Sequence, residues 1–114
     1  MNIINKYKFG EIIVDECKYN SDLIIFPNFV IEHWRRENNH QLSIKDISII
    51  INYRPDLLII GTGMFGLMHV NSNVIQMLKE KGIKNIFINR TKQACNLYNR
   101  EKDYQKVAAL HITC

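Results

Sequence analysis

The sequence predicts a single α/β domain spanning residues 1–114, in which helices pack on the faces of a central sheet. Extended segments come first along the chain, and helices and strands then alternate in the order α-β-α-β-α-β. The run at 57–60 is apolar throughout and of strand length, which is typical of a strand buried on both faces. A chain of 114 residues can bury about two-thirds of its surface, which is enough for one core.

The first half of the chain is predicted to be mainly extended. Residues 9–14 alternate weakly between apolar and polar side chains, 21–28 form an apolar strand stopped by a Pro-Asn pair, and 30–35 alternate again. A polar turn follows at 37–40. These segments place several strands ahead of the first helix.

The first helix is predicted to begin at Ser43. Ser43 and Asp46 have the spacing of a capping box, in which the hydroxyl accepts from the amide three residues on and the carboxylate reaches back. Apolar residues then recur on one helical face, at Ile44, Ile47, Ile50 and Ile51. Pro55 ends this helix before a strand at 56–60.

Two further helices alternate with two further strands. Ser72 is placed to cap a helix that ends before Gly82, where a left-handed residue is expected. Residues 83–88 are predicted to form a strand, 91–103 a helix and 107–112 the last strand. This alternation places helices on the faces of the sheet. The predicted fold is not a full Rossmann fold.

A glycine-rich loop follows the strand at 56–60. Its sequence GTGMFG, at 61–66, matches the dinucleotide-binding pattern GxGxxG. However, the helix that should open at the third glycine begins only near Ser72, and the acidic residue expected about 20 positions further on is absent. A dinucleotide site is therefore not favoured.

Two interpretations of this loop remain open. In the first, Gly61 and Gly63 supply the backbone angles of a tight turn at the end of a strand. In the second, the loop amides lie beside the start of the helix at Thr91 and bind a small anion, helped by Arg90 or Lys92.

Other chemistry is not favoured by the spacing of the reactive residues. His111 and Cys114 are too few for a zinc site, which needs three or four ligands. In an extended strand they would also point to opposite faces, which disfavours a nucleophilic pair. Cys95 is interpreted as a small core residue. No catalytic residue, metal or cofactor is therefore predicted.

Composition and charge exclude several classes of protein. No apolar stretch is long enough to span a bilayer and the N-terminus has no targeting pattern, so a cytoplasmic protein without membrane insertion is expected. Three cysteines without a CxxC motif fit free thiols. The net charge of +4 is interpreted as solvated surface charge, and the run Trp34-Arg35-Arg36 alone does not favour nucleic-acid binding.

Several short segments, taken in their order along the chain, resemble one family of small domains. They are DLIIFP at 22–27, Trp34-Arg35-Arg36 with His40, PDLLIIGTG at 55–63, TKQA at 91–94 with Tyr98-Asn99, and the closing HITC. The family contains the adipogenesis-associated domain proteins and the mitochondrial complex I assembly factors. The likeness covers essentially the whole chain, although the assembly-factor branch lacks the HITC close.

The resemblance implies a compact three-layer α/β fold with a mixed sheet and no dinucleotide site. It implies no catalytic residues, because the family has no established reaction. The positions that match the family pattern are Gly61, Gly63, Thr91, Ala94, Asn99, His40, His111 and Cys114.

We expect from this sequence a non-enzymatic cytoplasmic domain that binds a protein partner, as an assembly or scaffolding factor. The alternative is a protein that binds a small anion, in which an enzymatic role stays open. The candidate ligand-binding residues are Gly61, Thr62, Gly63, Arg90, Thr91, Lys92, Asn99 and His111. Self-association to a homo-oligomer through an exposed edge strand is also left open.

Overall fold

The structure is a computed structural model that describes residues 2–102 and 105–114. The chain opens with a three-stranded antiparallel sheet made of β1 (Ile4–Lys8), β2 (Glu11–Val14) and β3 (Cys17–Tyr19). The first two strands are joined at Gly10, which has a φ of 76°. The predicted extended segment at 9–14 is thus a turn followed by a strand.

The remaining elements alternate as the sequence predicts. In chain order they are β4 (Leu23–Ile25), β5 (Val30–Glu32), β6 (Gln41–Leu42), a 3-10 turn (Ile44–Ile47), α1 (Ser48–Tyr53), β7 (Leu57–Thr62), β8 (His69–Val70), α2 (Ser72–Glu80), β9 (Asn85–Asn89), α3 (Thr91–Arg100) and β10 (Lys106–His111).

A mixed five-stranded sheet forms the centre of the molecule, with strand order β5-β4-β10-β7-β9. The last strand of the chain, β10, lies in the middle, antiparallel to β4 and parallel to β7. β7 is in turn parallel to β9. The predicted mixed sheet in a single α/β domain is confirmed.

Both faces of this sheet are covered, as the apolar run in β7 predicts. Leu57 and Ile59 face the core that contains α3, whereas Leu58 and Ile60 face the core that contains α1 and α2. The same alternation along β4 and β10 divides the interior into two apolar layers. One outer layer differs from the expectation of helices alone, because β1 and β2 pack there beside α3.

The first helical segment begins with a modified cap. The Asp46 carboxylate accepts a hydrogen bond from the Ser43 amide at 2.8 Å, as the capping box predicts. The Ser43 side chain also faces the Asp46 amide, so the predicted capping box is present, and the Ser43 hydroxyl in addition donates to the Asp46 carboxylate at 2.8 Å. The predicted apolar face is fully buried at Ile47 and Ile50 and partly buried at Ile51, while Ile44 is 39% exposed.

Several predicted element ends differ from those observed: the strands predicted at 21–28, 56–60, 83–88 and 107–112 are Leu23–Ile25, Leu57–Thr62, Asn85–Asn89 and Lys106–His111, and three further differences follow. Asn71, not Ser72, caps α2, because its side chain accepts from the Val74 amide at 3.3 Å. The strand expected at 30–35 ends at Glu32, because His33 adopts a left-handed conformation with φ 58°. The helix expected at 91–103 ends at Arg100, and position 103 lies outside the described residues.

A glycine in the left-handed conformation follows α2. Gly82 has a φ of 97°, which confirms the left-handed residue expected after α2. None of the helices in the described residues has the length and apolarity that crossing a bilayer requires.

A lysine from the central strand holds the C-terminal end of α3. The Lys106 ammonium donates to the carbonyls of Tyr98 and Glu101, the second at 2.5 Å, and lies 4.0 Å from the centre of the Tyr98 ring. Burial lowers the pKa of Lys106, as does the neighbouring Lys102, while Glu101 opposes this effect. Lys106 thus satisfies carbonyls that a helix leaves unpaired at its end.

Replacing Lys106 with methionine should destabilise the protein, because the side chain keeps its length but can no longer donate to these carbonyls. We expect a loss of about 1–3 kcal/mol in the free energy of unfolding, measured by urea denaturation. The matched control is Lys102→Met at an exposed lysine nearby, which should change stability little. Equal effects of the two substitutions would contradict the anchoring role.

Candidate functional site

The glycine loop and the start of α3 meet at one hydroxyl group. The Gly63 amide donates to Oγ1 of Thr91 at 2.8 Å, and this hydroxyl donates to the His111 carbonyl at 2.5 Å. The Thr91 amide returns a hydrogen bond to the Gly63 carbonyl at 3.1 Å. The structure therefore brings Gly63, Thr91 and His111 together at the carboxyl ends of β7 and β10, with Thr91 fully buried.

The two glycines of this junction are required for different reasons. Gly63 has a φ of 105°, so the predicted tight-turn role is correct there. Gly61 instead lies within β7, and a Cβ atom on it would come within 2.8 Å of the Thr91 hydroxyl and 2.9 Å of Leu110. Close packing of α3 against the sheet, rather than turn geometry, therefore explains Gly61.

Four amides in and beside the loop, those of Gly63, Met64, Gly66 and Leu67, are engaged within the chain. The Met64 amide donates to the Thr113 carbonyl at 2.7 Å, and the Leu67 amide donates to the Cys114 oxygen at 3.1 Å. The Gly66 amide donates to the Gly63 carbonyl at 3.3 Å. An anion at this loop would have to displace these partners, so the geometry does not favour the predicted anion site there.

The other candidate residues lie around this junction without converging on it. Thr62 donates through its hydroxyl to the Asn89 carbonyl at 3.1 Å, and Arg90 is exposed beside the loop. Asn99 binds the backbone of Ile4 through both ends of its amide, at 2.9 and 2.8 Å. Lys92 lies with Asn99 on a separate cleft of about 230 Å³ between β1 and α3.

A buried polar cluster beside the junction is the feature that sequence reasoning missed. The carboxylate of Asp22 accepts from Nη2 of Arg36 at 2.7 Å, from Nδ1 of His111 at 2.8 Å and from the Ile112 amide at 2.7 Å. The side chains of Arg36 and His111 are only 2% and 5% exposed. Nε of Arg36 donates to the Asn39 carbonyl at 3.2 Å. We call Asp22, Arg36 and His111 the polar cluster.

The charge state of the polar cluster follows from its hydrogen bonds. Burial alone would raise the pKa of Asp22, but the hydrogen bonds from His111, the Ile112 amide and Arg36 outweigh it and lower the pKa. An ionised carboxylate only accepts, so Nδ1 of His111 carries the hydrogen that it shares with Asp22. The cluster thus contains a compensated Arg–Asp pair with His111 oriented by the same carboxylate.

Two nitrogens of the polar cluster are buried without a hydrogen-bond partner in the described residues, Nη1 of Arg36 and Nε2 of His111. The guanidinium lies 4.7 Å from the centre of the Trp34 ring, and the His40 ring lies edge-on at 6.0 Å from that of His111. An Asp–His pair can act as a base only where the outer nitrogen reaches a substrate. Here that nitrogen is covered, so the cluster serves chiefly to join β4, β10 and the segment at 34–40.

The cysteines are free thiols in the structure. Cys95 is buried in the core, as predicted, and burial raises its pKa to about 12. Such a thiol is almost wholly protonated at neutral pH and is a poor nucleophile. Cys17 is exposed and Cys114 is partly buried.

Exposed apolar side chains lie on two loops beside the junction. The rings of Phe9, in the β1–β2 turn, and Phe65, in the glycine loop, lie 6.2 Å apart. They are 48% and 58% exposed, and Leu67 of the same loop is 45% exposed. We call Phe9, Phe65 and Leu67 the rim patch. No composition or spacing signal distinguished these three from core residues.

The architecture defines a small α/β domain whose last strand is central and whose N-terminal sheet packs beside its last helix. A family model described as a protein of unknown function (DUF498/DUF598) matches residues 4–112. The chain belongs to this DUF498 family. The description of this family specifies no activity. It names neither the adipogenesis-associated domain proteins nor the complex I assembly factors that the sequence resembles. The curated proteins contain no match to the chain.

Solved structures support the fold. The conserved hypothetical protein PH1505 from Pyrococcus horikoshii OT3 is similar at 20% identity and a TM-score of 0.81, covering 97% of this chain and 98% of its own. A protein named MT938 is similar at 19% identity and a TM-score of 0.82, covering all of both chains. A protein from Bartonella henselae, described as an outer membrane protein, is similar at 21% identity and a TM-score of 0.81. The match covers 97% of this chain and 94% of that protein. At these identities the likeness concerns the fold alone.

Replacing Asp22 with asparagine should be strongly destabilising, because it leaves the buried Arg36 guanidinium without its counter-charge. We expect a loss of about 3 kcal/mol in the free energy of unfolding, measured by urea denaturation. The control is Asp56→Asn, at an exposed carboxylate without an ion pair in the described residues. A loss no larger than that of the control would show that the polar cluster is not structural.

The lowered pKa of Asp22 also predicts a specific loss of stability in acid. The unfolded chain takes up this proton near the ordinary Asp pKa of about 3.9, whereas the folded chain does so only at lower pH. The stabilisation is therefore complete above the unfolded value and is lost as the pH falls through the folded value. Urea denaturation at a series of pH values should show a steeper acid loss for the unmodified chain than for Asp22→Asn. Parallel curves would contradict the assignment.

Proposed function

We propose that this chain acts by binding a protein partner rather than by catalysis. The observation that carries the proposal is the rim patch, in which two phenylalanines and a leucine are about half exposed on adjacent loops. Large aromatic side chains exposed together are characteristic of sites where another protein binds, because their burial supplies much of the binding energy.

The backbone beneath the rim patch is rigidly held. The Gly10 amide donates to the Ile112 carbonyl at 2.9 Å, and the glycine loop pairs with Thr113 and Cys114 as described above. Both loops are therefore attached to the same segment that follows β10. A patch fixed in this way loses little conformational entropy when a partner binds, which favours affinity.

The surroundings of the patch support a protein partner over the alternatives. Three of the loop amides that an anion would use, those of Gly63, Met64 and Gly66, already have partners within the chain. Of the three residues considered for nucleic-acid binding, Trp34 and Arg36 are buried and only Arg35 is exposed. The form of this function that we propose is an assembly or scaffolding role, which the family resemblance implies, and a cytoplasmic location is part of the proposal.

Photo-crosslinking tests the proposal directly. A benzoylphenylalanine placed at position 65 in living cells should give a discrete adduct with one partner, because the ring of Phe65 is exposed at the patch. The matched control is the same residue at position 29, where Phe29 is 48% exposed but stacks on Phe26 away from the patch. Phe9→Ser should remove the adduct at position 65.

The partner identified by mass spectrometry is then purified and its affinity measured by calorimetry. Phe65→Ser should weaken binding roughly tenfold or more, with an unchanged melting temperature because this side chain is mostly in solvent. Equal adducts at positions 65 and 29, or unchanged affinity of Phe65→Ser, would refute the proposal. An adduct with a second copy of the chain would assign the patch to self-association instead.

A further inference from the structure

Strand β9 is an open edge of the central sheet. It pairs with β7 alone, and the described residues place no strand on its outer side. Its centre is apolar and half-buried at Ile86, Phe87 and Ile88, with no proline or lysine within it. Edge strands of this kind are prone to pair with another chain unless something blocks them.

The opposite edge is less suited to such pairing. β5 has only three residues and ends where His33 turns into the left-handed region. The His33 amide is held by the Ser21 hydroxyl at 2.8 Å, and the Trp34 amide by the Asp22 carbonyl at 2.9 Å. β9, with five residues, is therefore the more open of the two edges.

A groove of about 370 Å³ runs beside β9 on the face that carries α3. Phe87 and Leu97 contribute its apolar surface, and Lys84 and Glu101 contribute charged groups to its lining. A strand added to β9 would direct alternate side chains towards this face, so one of them would enter the groove.

The charges at the two ends of β9 indicate which kind of strand can pair with it. Lys84 precedes the strand and Arg90 follows it; both are exposed, and neither forms an ion pair in the described part of the chain. In an antiparallel pairing of two β9 strands centred on Phe87, Lys84 of each copy would lie opposite Arg90 of the other. Like charges in these positions are destabilising, so a second copy is disfavoured.

We propose that β9 binds an extended segment of a partner protein as a sixth strand, and that this segment has an apolar centre flanked by acidic residues. Main-chain hydrogen bonds supply affinity, the groove at Phe87 accepts an apolar side chain, and the acidic ends pair with Lys84 and Arg90. The inference rests on the proposed protein-binding function and specifies the chemistry of the partner.

Arg90 connects this surface with the rim patch. Its Cγ atom lies 3.5 Å from the position that a Cβ atom on Gly66 would occupy, so its aliphatic part packs beside the glycine loop. A segment that follows β9 to Arg90 therefore continues towards Phe65. One partner can contact both surfaces.

Synthetic peptides long enough to cover β9, but too short to reach Phe65, test the inference by nuclear magnetic resonance. One peptide has an alternating apolar centre with glutamate at both ends, and its matched control has lysine at both ends. The acidic peptide should shift the amide signals of β9 and bind about fivefold more tightly than the lysine peptide at low salt. The preference should shrink as salt is added.

A charge-reversal variant distinguishes recognition of the charged peptide ends from nonspecific binding. The double variant Lys84→Glu, Arg90→Glu should prefer the lysine peptide, whereas the control Lys79→Glu, Lys81→Glu, with the same change of charge on and after α2, should keep the original preference. The Phe65→Ser variant should bind the acidic peptide as tightly as the unmodified chain, because β9 is unchanged in it. The peptide experiment therefore tests β9 alone, and crosslinking at position 65 tests the rim patch alone.

Three outcomes would overturn the inference. The first is equal affinity for the two peptides, and the second is signal changes that map away from β9. The third is concentration-dependent dimerisation that shifts the β9 amides without peptide, which would assign this edge to a second copy.

Discussion

The arrangement of the molecule depends on the buried hydroxyl of Thr91. It accepts from the Gly63 amide and donates to the His111 carbonyl, so it joins the ends of the parallel strands β7 and β10 to the first turn of α3. Helix and sheet can approach this closely only because position 61 carries no side chain. A buried hydroxyl with both of its hydrogen bonds satisfied specifies one packing of these elements and penalises alternatives.

This junction determines what the adjacent loop can do. Its glycines suggest a ligand loop in the sequence, but its amides are paired with Thr91 and with the segment after β10. Exposed side chains rather than main-chain donors remain available at the rim. The same hydrogen bonds that disfavour an anion site hold Phe65 in a fixed position, which suits recognition by a protein surface.

The order of elements and the covering of both sheet faces were predictable, because strand and helix periodicities are local properties of the sequence. The residues at which helices and strands begin and end were less predictable. Asn71 and Ser72 are both good caps, and only backbone geometry distinguishes them. The strand after Val30 was predicted too long, because the turn at His33 brings Arg36 to Asp22, a contact that alternation does not encode.

By itself the sequence determined a single α/β domain, its buried strand at 57–60 and its left-handed Gly82, because each depends on residues that are neighbours in the chain. Only the tertiary structure decided that Asp22, Arg36 and His111 form one buried cluster, and that Phe9 meets Phe65. It also decided that β9 is the open edge. The physical reason is that strand order and long-range pairing are set by how β10 inserts between β4 and β7, which no local pattern specifies.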